Sequence, residues 1–256
     1  MYSKDVIILK NDRLIPNFYY ASNKNIANNN LYEKFGLAND IVIHKNLASK
    51  LIMLIPVLNL MKLKLLVTDA YRPLEIQRYL FENWEKFTGQ KPLESLAHSE
   101  SAPHTMGIAI DAVLTNEKGE KLPQPSSSVK FNPEQRNPDY IFPDIPSEKE
   151  KEKNRNLLRI LMVCSGISPI NKEWFHFQLP NKELYPIITL DDLENIDVLE
   201  YTDIMCDTFH YYDIPVDYAN DKFLNKDHFW INDASYFDHF RKMGFPDFCE
   251  KLTKSS

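Results

Sequence analysis

Long apolar runs are missing from this chain of 256 residues. The longest apolar cluster, residues 51–58, is interrupted by Pro56 and is shorter than the ~18 apolar residues that a membrane-spanning helix requires. Only four consecutive apolar residues follow the charged start of the chain, too few for the core of a secretory signal peptide. We therefore expect a cytoplasmic protein that is not inserted in a membrane.

Cysteine is also scarce, and the three cysteines, Cys164, Cys206 and Cys249, are odd in number and widely spaced. Because none of them forms a Cys-x-x-Cys pair, a structural zinc site built on cysteines is not expected. The pattern favours a reduced protein, in agreement with a cytoplasmic location. The net charge of −6 makes nucleic acid an unexpected partner, and nothing in the sequence indicates an oligomeric state.

A content of 43% hydrophobic and 26% charged residues is ordinary for a globular protein, and the hydrophobic periodicity predicts both helices and strands. Helices are expected over residues 45–62, 73–87 and 147–164, and strands over residues 65–69, 106–114 and 174–179. Pro56 should kink or end the first of these helices. Ser147 should cap the third helix, and Gly166 should close it.

Two segments show no such periodicity. Residues 115–147 contain six prolines and three consecutive serines. So long an irregular segment within a domain is usually functional, and we interpret it as a loop over a cleft, with a surface insertion as the alternative. Residues 187–256 are acidic and rich in aromatic residues. We therefore divide the chain into a domain of residues 1–186 and a C-terminal extension, residues 187–256, of unknown role.

Two short stretches carry the residue types of a metal site. The first contains His104 and Asp111, and the second contains Glu173 and His176. Two imidazoles, one carboxylate and an open fourth position are typical of catalytic zinc, and a spare carboxylate such as that of Glu173 can act as the general base for an activated water. Neither stretch is a helical H-E-x-x-H motif, so a hydrolase here would have a different fold from the zincins.

Strand geometry constrains where these side chains can lie. Side chains alternate between the two faces of a strand, so on regular strands His104 and Asp111 would face opposite ways, as would Glu173 and His176. We therefore expect His104 on a turn before its strand, where Gly107 permits a bend. Glu173 is expected at a strand entrance or a bulge.

Arg72 follows one predicted strand and precedes a predicted helix. At such a junction its guanidinium can stabilise the oxyanion of a tetrahedral intermediate. The alternative is a structural ion pair with Asp69 or Asp139. The residues alone do not decide between these two roles.

Three motifs, in this order, resemble those of the zinc D-alanyl-D-alanine dipeptidases of the vancomycin-resistance type (VanX type), within the wider fold of zinc D,D-carboxypeptidases and the Hedgehog signalling domain. Residues 69–73 are similar to the family's D-A-Y-R-P, residues 104–111 fit H-x-x-G-x-A-x-D, and residues 172–177 fit K-E-W-W-H-[FY] with Phe175 in place of the second Trp. The resemblance covers roughly residues 5–183 and identifies the domain of residues 1–186 as the catalytic one.

The resemblance implies an α+β fold with a small, mainly antiparallel sheet flanked by helices. It implies that His104, Asp111 and His176 bind one zinc ion per chain. Glu173 would act as the general base, and Arg72 would stabilise the intermediate.

The implied substrate is a small D-amino-acid dipeptide, D-Ala-D-Ala, and Tyr71, Ser101 and Asn132 would contact it. Two positions depart from the family pattern, which usually has Ser at the position of Ala102 and Asp at that of Asn132. Both departures bear on how the free ammonium of a dipeptide is anchored, and neither affects the zinc chemistry.

Two other functions stay open at this point. One is a D,D-carboxypeptidase or endopeptidase that acts on larger peptidoglycan peptides, which the neutral Asn132 favours and the expected cytoplasmic location disfavours. The other is a non-catalytic, zinc-containing binding module. The presence of Glu173 together with Arg72 argues against such a module.

Overall fold

Two β-sheets and four helices form the described part of the computed structural model, which comprises residues 5–89, 91, 102–127 and 133–201. The chain divides into two units, residues 1–204 and 205–256, and every described residue belongs to the first. Helices and a mainly antiparallel sheet occur together in this unit, which confirms the predicted α+β class.

The larger sheet has five strands. In spatial order they are β2 (Leu14–Pro16), β4 (Leu63–Asp69), β5 (Ala109–Asn116), β7 (His176–Gln178) and β6 (Ser168–Pro169). The strands β2 and β4 run parallel, and the other neighbours are antiparallel. This order places β5, which carries Asp111, beside β7, which begins at His176.

The two central strands of this sheet supply much of the core. Leu65 and Val67 of β4, and Ile110 and Leu114 of β5, are all fully buried. Burying a side chain of this size contributes roughly 1.5–3 kcal/mol. This burial holds β4 and β5 in place, and these strands carry Asp69 and Asp111.

The smaller sheet joins the start of the chain to its last described strand. In spatial order its strands are β3 (Val42–His44), β1 (Val6–Lys10) and β8 (Asp197–Glu200). Ile188, which precedes β8, is buried against Val6 and Tyr71. Residues 187–201 thus pack with the domain that precedes them, while the boundary after residue 186 and the role of the extension stay predictions.

The four helices are α1 (Leu31–Lys34), α2 (Lys45–Met61), α3 (Leu74–Thr88) and α4 (Pro146–Cys164). Of the two expectations for Pro56, a kink or an end of α2, the end is wrong, because the helix continues to Met61, and the kink stays a prediction. A proline inside a helix costs about 3 kcal/mol, but Leu54, Ile55 and Leu58 around it are buried in the core, and their packing outweighs that cost. None of the described helices is both long and apolar enough to cross a membrane.

The predicted cap of α4 is also wrong. The helix begins at Pro146, with Ile145 as the N-cap residue, so Ser147 lies inside the first turn. Proline suits the first helical position because its φ is already close to the helical value and its missing N–H is not needed there. The predicted end is confirmed, since α4 stops at Cys164 and Gly166 follows with φ +82°.

Candidate metal centre

His104 lies on a 3-10 turn, Pro103–Met106, which comes directly before β5. Gly107 ends the turn with φ +65°. A side chain there would meet Ile188 Cδ1 at 2.9 Å and the backbone nitrogen of His44 at 3.1 Å. Glycine is thus required both for its positive φ and for this close approach, and the turn explains why β5 begins at Ala109 rather than at Met106.

Asp111 and His176 are direct partners across the antiparallel pair of β5 and β7. Directly opposite residues project their side chains to the same face of a sheet. Asp69, at the end of β4, pairs with Asp111 from the other side, next to an irregularity after Val67. The register of three strands therefore collects these polar side chains at one place.

Three atoms of His104, Asp111 and His176 converge. Oδ1 of Asp111 lies 2.9 Å from Nδ1 of His176 and 3.3 Å from Nε2 of His104, and the two nitrogens are 3.2 Å apart. Two ligands at ~2.0–2.1 Å from a tetrahedral zinc ion lie roughly 3.3–3.4 Å apart. The three side chains can therefore hold a metal ion with little rearrangement.

The opposite nitrogen of each imidazole has its own hydrogen-bond acceptor. Nδ1 of His104 lies 2.7 Å from the carbonyl of Ala70, and Nε2 of His176 lies 3.1 Å from Oε1 of Gln178. Histidines that bind metals usually donate their other N–H to such an acceptor, which fixes the ring and leaves a lone pair for the metal. This arrangement directs Nε2 of His104 and Nδ1 of His176 toward Asp111, as a metal site requires.

The charges of the cluster favour a bound cation. Burial alone would raise the pKa of Asp111, but the charges and hydrogen bonds of His104 and His176 outweigh it and hold that pKa well below its usual range. Burial alone would lower the pKa of His176, but the hydrogen bond and charge of Asp111, with the charge of Glu173, raise it above its ordinary value. The cluster therefore favours an ionised Asp111 beside a positive charge, a place that a divalent cation can take.

Arg72 lies between the end of β4 and the start of α3, and it is buried with Asp69. Its Nε donates a 2.9 Å hydrogen bond to Oδ2 of Asp69, its Nη2 pairs with the same oxygen, and its Nη1 donates to Oε1 of Gln77 at 2.6 Å. The guanidinium also lies 4.9 Å from the ring centre of Tyr20. Of the two predicted ion-pair partners, Asp69 is the one that binds Arg72. Oδ1 of Asp139 lies instead 3.4 Å from Nη1 of Arg159.

This ion pair holds Arg72 close to the candidate ligands. The backbone N–H of Arg72 donates to the carbonyl of His104 at 3.1 Å. Burial would lower the pKa of Arg72, but the charges of Asp69, Tyr20 and Asp111 together raise it. The structural role and the predicted catalytic role are thus compatible, because the pair with Asp69 also orients the guanidinium.

Glu173 lies in the turn directly before β7 rather than on the strand, and its carbonyl accepts a 3.2 Å hydrogen bond from the N–H of His176. Its carboxylate forms an ion pair with Arg136. The motifs did not single out Arg136, which belongs to a 3-10 turn, Pro133–Arg136, within the irregular segment of residues 115–147. The one signal available in the sequence was the position of this arginine between the two motif stretches.

The three predicted substrate contacts remain predictions. Tyr71 is buried, and its hydroxyl donates a 2.9 Å hydrogen bond to the carbonyl of Ile188. Ser101 and Asn132 lie outside the described residues.

A family model and a curated relative match this chain. A family model described as D-Ala-D-Ala dipeptidase (Peptidase M15) matches residues 12–192. The D-alanyl-D-alanine dipeptidase of Escherichia coli (strain K12) is 28% identical to this chain over 169 residues, which are 66% of this chain and 80% of that protein. Because the family model spans well over half of the chain, the protein belongs to the D-Ala-D-Ala dipeptidase family of peptidases, Peptidase M15.

Proposed function

We propose that this protein is a cytoplasmic zinc peptidase that hydrolyses the dipeptide D-Ala-D-Ala. The observation that carries the proposal is the convergence of one ligand atom each from His104, Asp111 and His176. The outer hydrogen bonds of both imidazoles support it, because they are the bonds that metal-binding histidines form. The printed name of the E. coli relative supports the choice of substrate.

In this proposal each residue near the cluster has a separate task. His104, Asp111 and His176 hold the zinc ion, which supplies Lewis-acid polarisation of the scissile carbonyl and of the attacking water. Glu173 accepts the proton that the water loses as its oxygen bonds to the carbonyl carbon. Glu173 then returns that proton to the nitrogen as the C–N bond breaks, so the products are a carboxylic acid and an amine.

Arg72 stabilises the negative charge that develops on the carbonyl oxygen. A donor that is fixed before the reaction is effective for this purpose, because it needs no reorganisation in the transition state. Asp69 and Gln77 hold the guanidinium through three hydrogen-bonding contacts. These contacts leave further N–H groups of Arg72 for the substrate, since a guanidinium carries five.

The proposal is tested by supplying zinc-loaded protein with D-Ala-D-Ala, L-Ala-L-Ala and a muramyl pentapeptide, and by identifying the products. We expect release of free D-Ala from D-Ala-D-Ala and no cleavage of the L,L isomer. Preferential cleavage of the pentapeptide would replace the dipeptidase with a D,D-carboxypeptidase. Absence of hydrolysis in all three, with zinc bound, would favour a binding module.

An N-acetylated D-Ala-D-Ala refines the test. A free ammonium next to the scissile bond requires a carboxylate or several acceptors when it loses its water. Asn132 is neutral where the family usually has Asp, so we expect the wild type to discriminate weakly against the acetylated dipeptide and Asn132→Asp to discriminate more strongly. Strong wild-type discrimination that Asn132→Asp does not increase would show that another residue anchors the ammonium.

A further inference from the structure

We propose that Arg136 is a positioning residue that holds the carboxylate of Glu173 at the entrance of β7. The inference rests on the proposed function, because it assigns a partner to the proposed general base. Arg136 lies outside the three motifs.

Arg136 contacts three consecutive residues that lead to the candidate ligand His176. Its guanidinium forms an ion pair with Glu173. Its carbonyl accepts a 2.8 Å hydrogen bond from the N–H of Trp174, and its guanidinium lies 5.2 Å from the ring centre of Phe175. One arginine therefore fixes both the backbone and the carboxylate of the turn from which β7 begins.

The segment that carries Arg136 is itself anchored. Nη1 of Arg136 donates a 2.8 Å hydrogen bond to the carbonyl of Ser127, and the N–H of Ser126 donates to Oε1 of Gln135 at 3.1 Å. The indole N–H of Trp174 donates to the carbonyl of Ser126 at 3.3 Å. These hydrogen bonds fix the position of the segment that carries Arg136, and so they also fix its guanidinium beside Glu173.

Glu173 lies at the edge of the packed interior. The side chains of Glu173 and Arg136 are each 16% exposed, and their ion pair links the carboxylate to the loop. The ion pair uses Oε1 of Glu173, and among the described residues no hydrogen bond engages Oε2. One oxygen is thus held in place while the other stays available to accept a proton.

The loss of turnover expected on removal of Arg136 follows from the precise geometry that proton transfer requires. A general base must lie within hydrogen-bond reach of the proton that it takes, and a displacement of about 1 Å can lower the rate by roughly 10²-fold. Loss of Arg136 should therefore affect turnover more than substrate affinity. It should also spare the metal, because the three candidate ligands do not contact the guanidinium.

The test compares Arg136→Met, which keeps an unbranched apolar stem but removes the guanidinium and its charge, with Arg136→Lys, which keeps the charge. Arg159→Met is the matched control, because Arg159 pairs with Asp139, whose side chain is 69% exposed, and takes no part in the site. Measurements on zinc-loaded protein are kcat and KM for D-Ala-D-Ala, bound zinc and the midpoint of thermal unfolding. We expect kcat to fall about 10–10²-fold in Arg136→Met, with KM within about threefold and zinc unchanged, partial recovery in Arg136→Lys, and nearly wild-type values in Arg159→Met.

Several outcomes would overturn the inference. One is a kcat of Arg136→Met within twofold of wild type. Another is equal loss of kcat in Arg136→Met and Arg136→Lys together with loss of zinc or of the folded state, which would make Arg136 a general structural residue. A wild-type protein that hydrolyses none of the peptides would instead reject the proposed function, and the inference with it.

Discussion

Two arginine–carboxylate pairs lie beside the candidate metal centre, and they differ in nearly every physical respect. Asp69 and Arg72 are three residues apart, and their side chains are 2% and 9% exposed. Arg136 and Glu173 are 37 residues apart, and each is 16% exposed. The first pair is local and enclosed, whereas the second joins a loop to the entrance of a strand.

The networks around the two carboxylates differ as well. Oδ1 of Asp69 accepts a 3.0 Å hydrogen bond from the N–H of Ala70 and lies 3.5 Å from the hydroxyl of Tyr32, while Oδ2 binds Arg72. Glu173 has Arg136 as its side-chain partner among the described residues. Both oxygens of Asp69 are therefore engaged within the fold, whereas the hydrogen bonding of Glu173 supports its proposed role as the general base.

The largest effect should come from Glu173→Gln, which keeps the shape of the side chain but removes its basicity. Turnover should fall about 10²–10⁴-fold, the usual contribution of a general base. Zinc content should not change, because the ligand atoms belong to other residues. Steady-state kinetics with D-Ala-D-Ala and elemental analysis of the purified variant check both parts, and near wild-type turnover would contradict the assignment.

The next effect concerns the enclosed pair. Asp69→Asn removes the ion-pair partner of the buried guanidinium of Arg72, which should lower the free energy of unfolding by about 3–5 kcal/mol. Urea unfolding of the zinc-free protein measures this loss. The matched control is Asp139→Asn, whose exposed pair with Arg159 should change stability by ~1 kcal/mol or less.

The burial of Asp69 also affects how the turnover of an Arg72 variant is interpreted. Removing Arg72 alone would leave Asp69 buried without its partner, so the variant would lose stability as well as transition-state stabilisation. Its turnover is therefore interpretable only beside its unfolding curve. If Asp69→Asn proved as stable as Asp139→Asn, the distinction between the two pairs would be wrong.

A smaller effect is expected from the partner of His176. Gln178→Leu removes the acceptor of the Nε2 proton, and the loss of such an outer partner typically lowers metal affinity 10–100-fold. Gln178→Glu retains an acceptor and should bind zinc nearly as well as the wild type. Competition with a chromophoric chelator gives both affinities, and equal affinities for the Leu and Glu variants would exclude this role of Gln178.

The smallest effect is expected in the contribution of His176 to stability, whose pH dependence should have opposite signs in the zinc-free and the zinc-bound protein. In the zinc-free protein the pKa of His176 is raised above its ordinary value of 6.5, so this group stabilises the fold below about pH 6.5 and the stabilisation is lost as the pH rises through the folded-state pKa. Asp111 and Glu173 are the ionisable groups that raise this pKa. Because zinc requires the deprotonated imidazole, stabilisation by zinc should instead grow with pH.

Thermal unfolding between pH 5 and pH 9, with chelator and with zinc, separates these two dependences. The difference between the wild type and His176→Gln isolates the contribution of His176 from that of other titrating groups. A zinc-free wild type that gains stability relative to His176→Gln as the pH rises would contradict the proposed charge balance.

Local features of the site could be predicted from the sequence because their cause is local. The turn before β5 follows from Pro103 and Gly107, and the position of Arg72 follows from a strand that ends where a helix begins. The position of Glu173 in a turn before β7 could be predicted from the alternation of side chains on a strand, because on a regular strand Glu173 and His176 would face opposite ways. In each of these cases neighbouring residues determine the backbone.

The remaining features depend on contacts between distant residues. Arg136 and Glu173 form their ion pair because an irregular loop packs against the entrance of β7. Hydrophobic periodicity does not predict a contact between a loop and a distant strand. Ile188 supports the His104 turn from the predicted extension, where its N–H donates a 2.9 Å hydrogen bond to the carbonyl of Thr105. The continuation of α2 past Pro56 has the same origin, because tertiary packing outweighs a local preference.

We propose that one metal ion, held by His104, Asp111 and His176, is required for hydrolysis. The most direct test is to titrate zinc into metal-free protein and to follow the initial rate of D-Ala-D-Ala hydrolysis. We expect a linear rise that stops at one zinc per chain, and no rise over the same range in His176→Ala. A full rate without metal, or the same rise in His176→Ala, would contradict it.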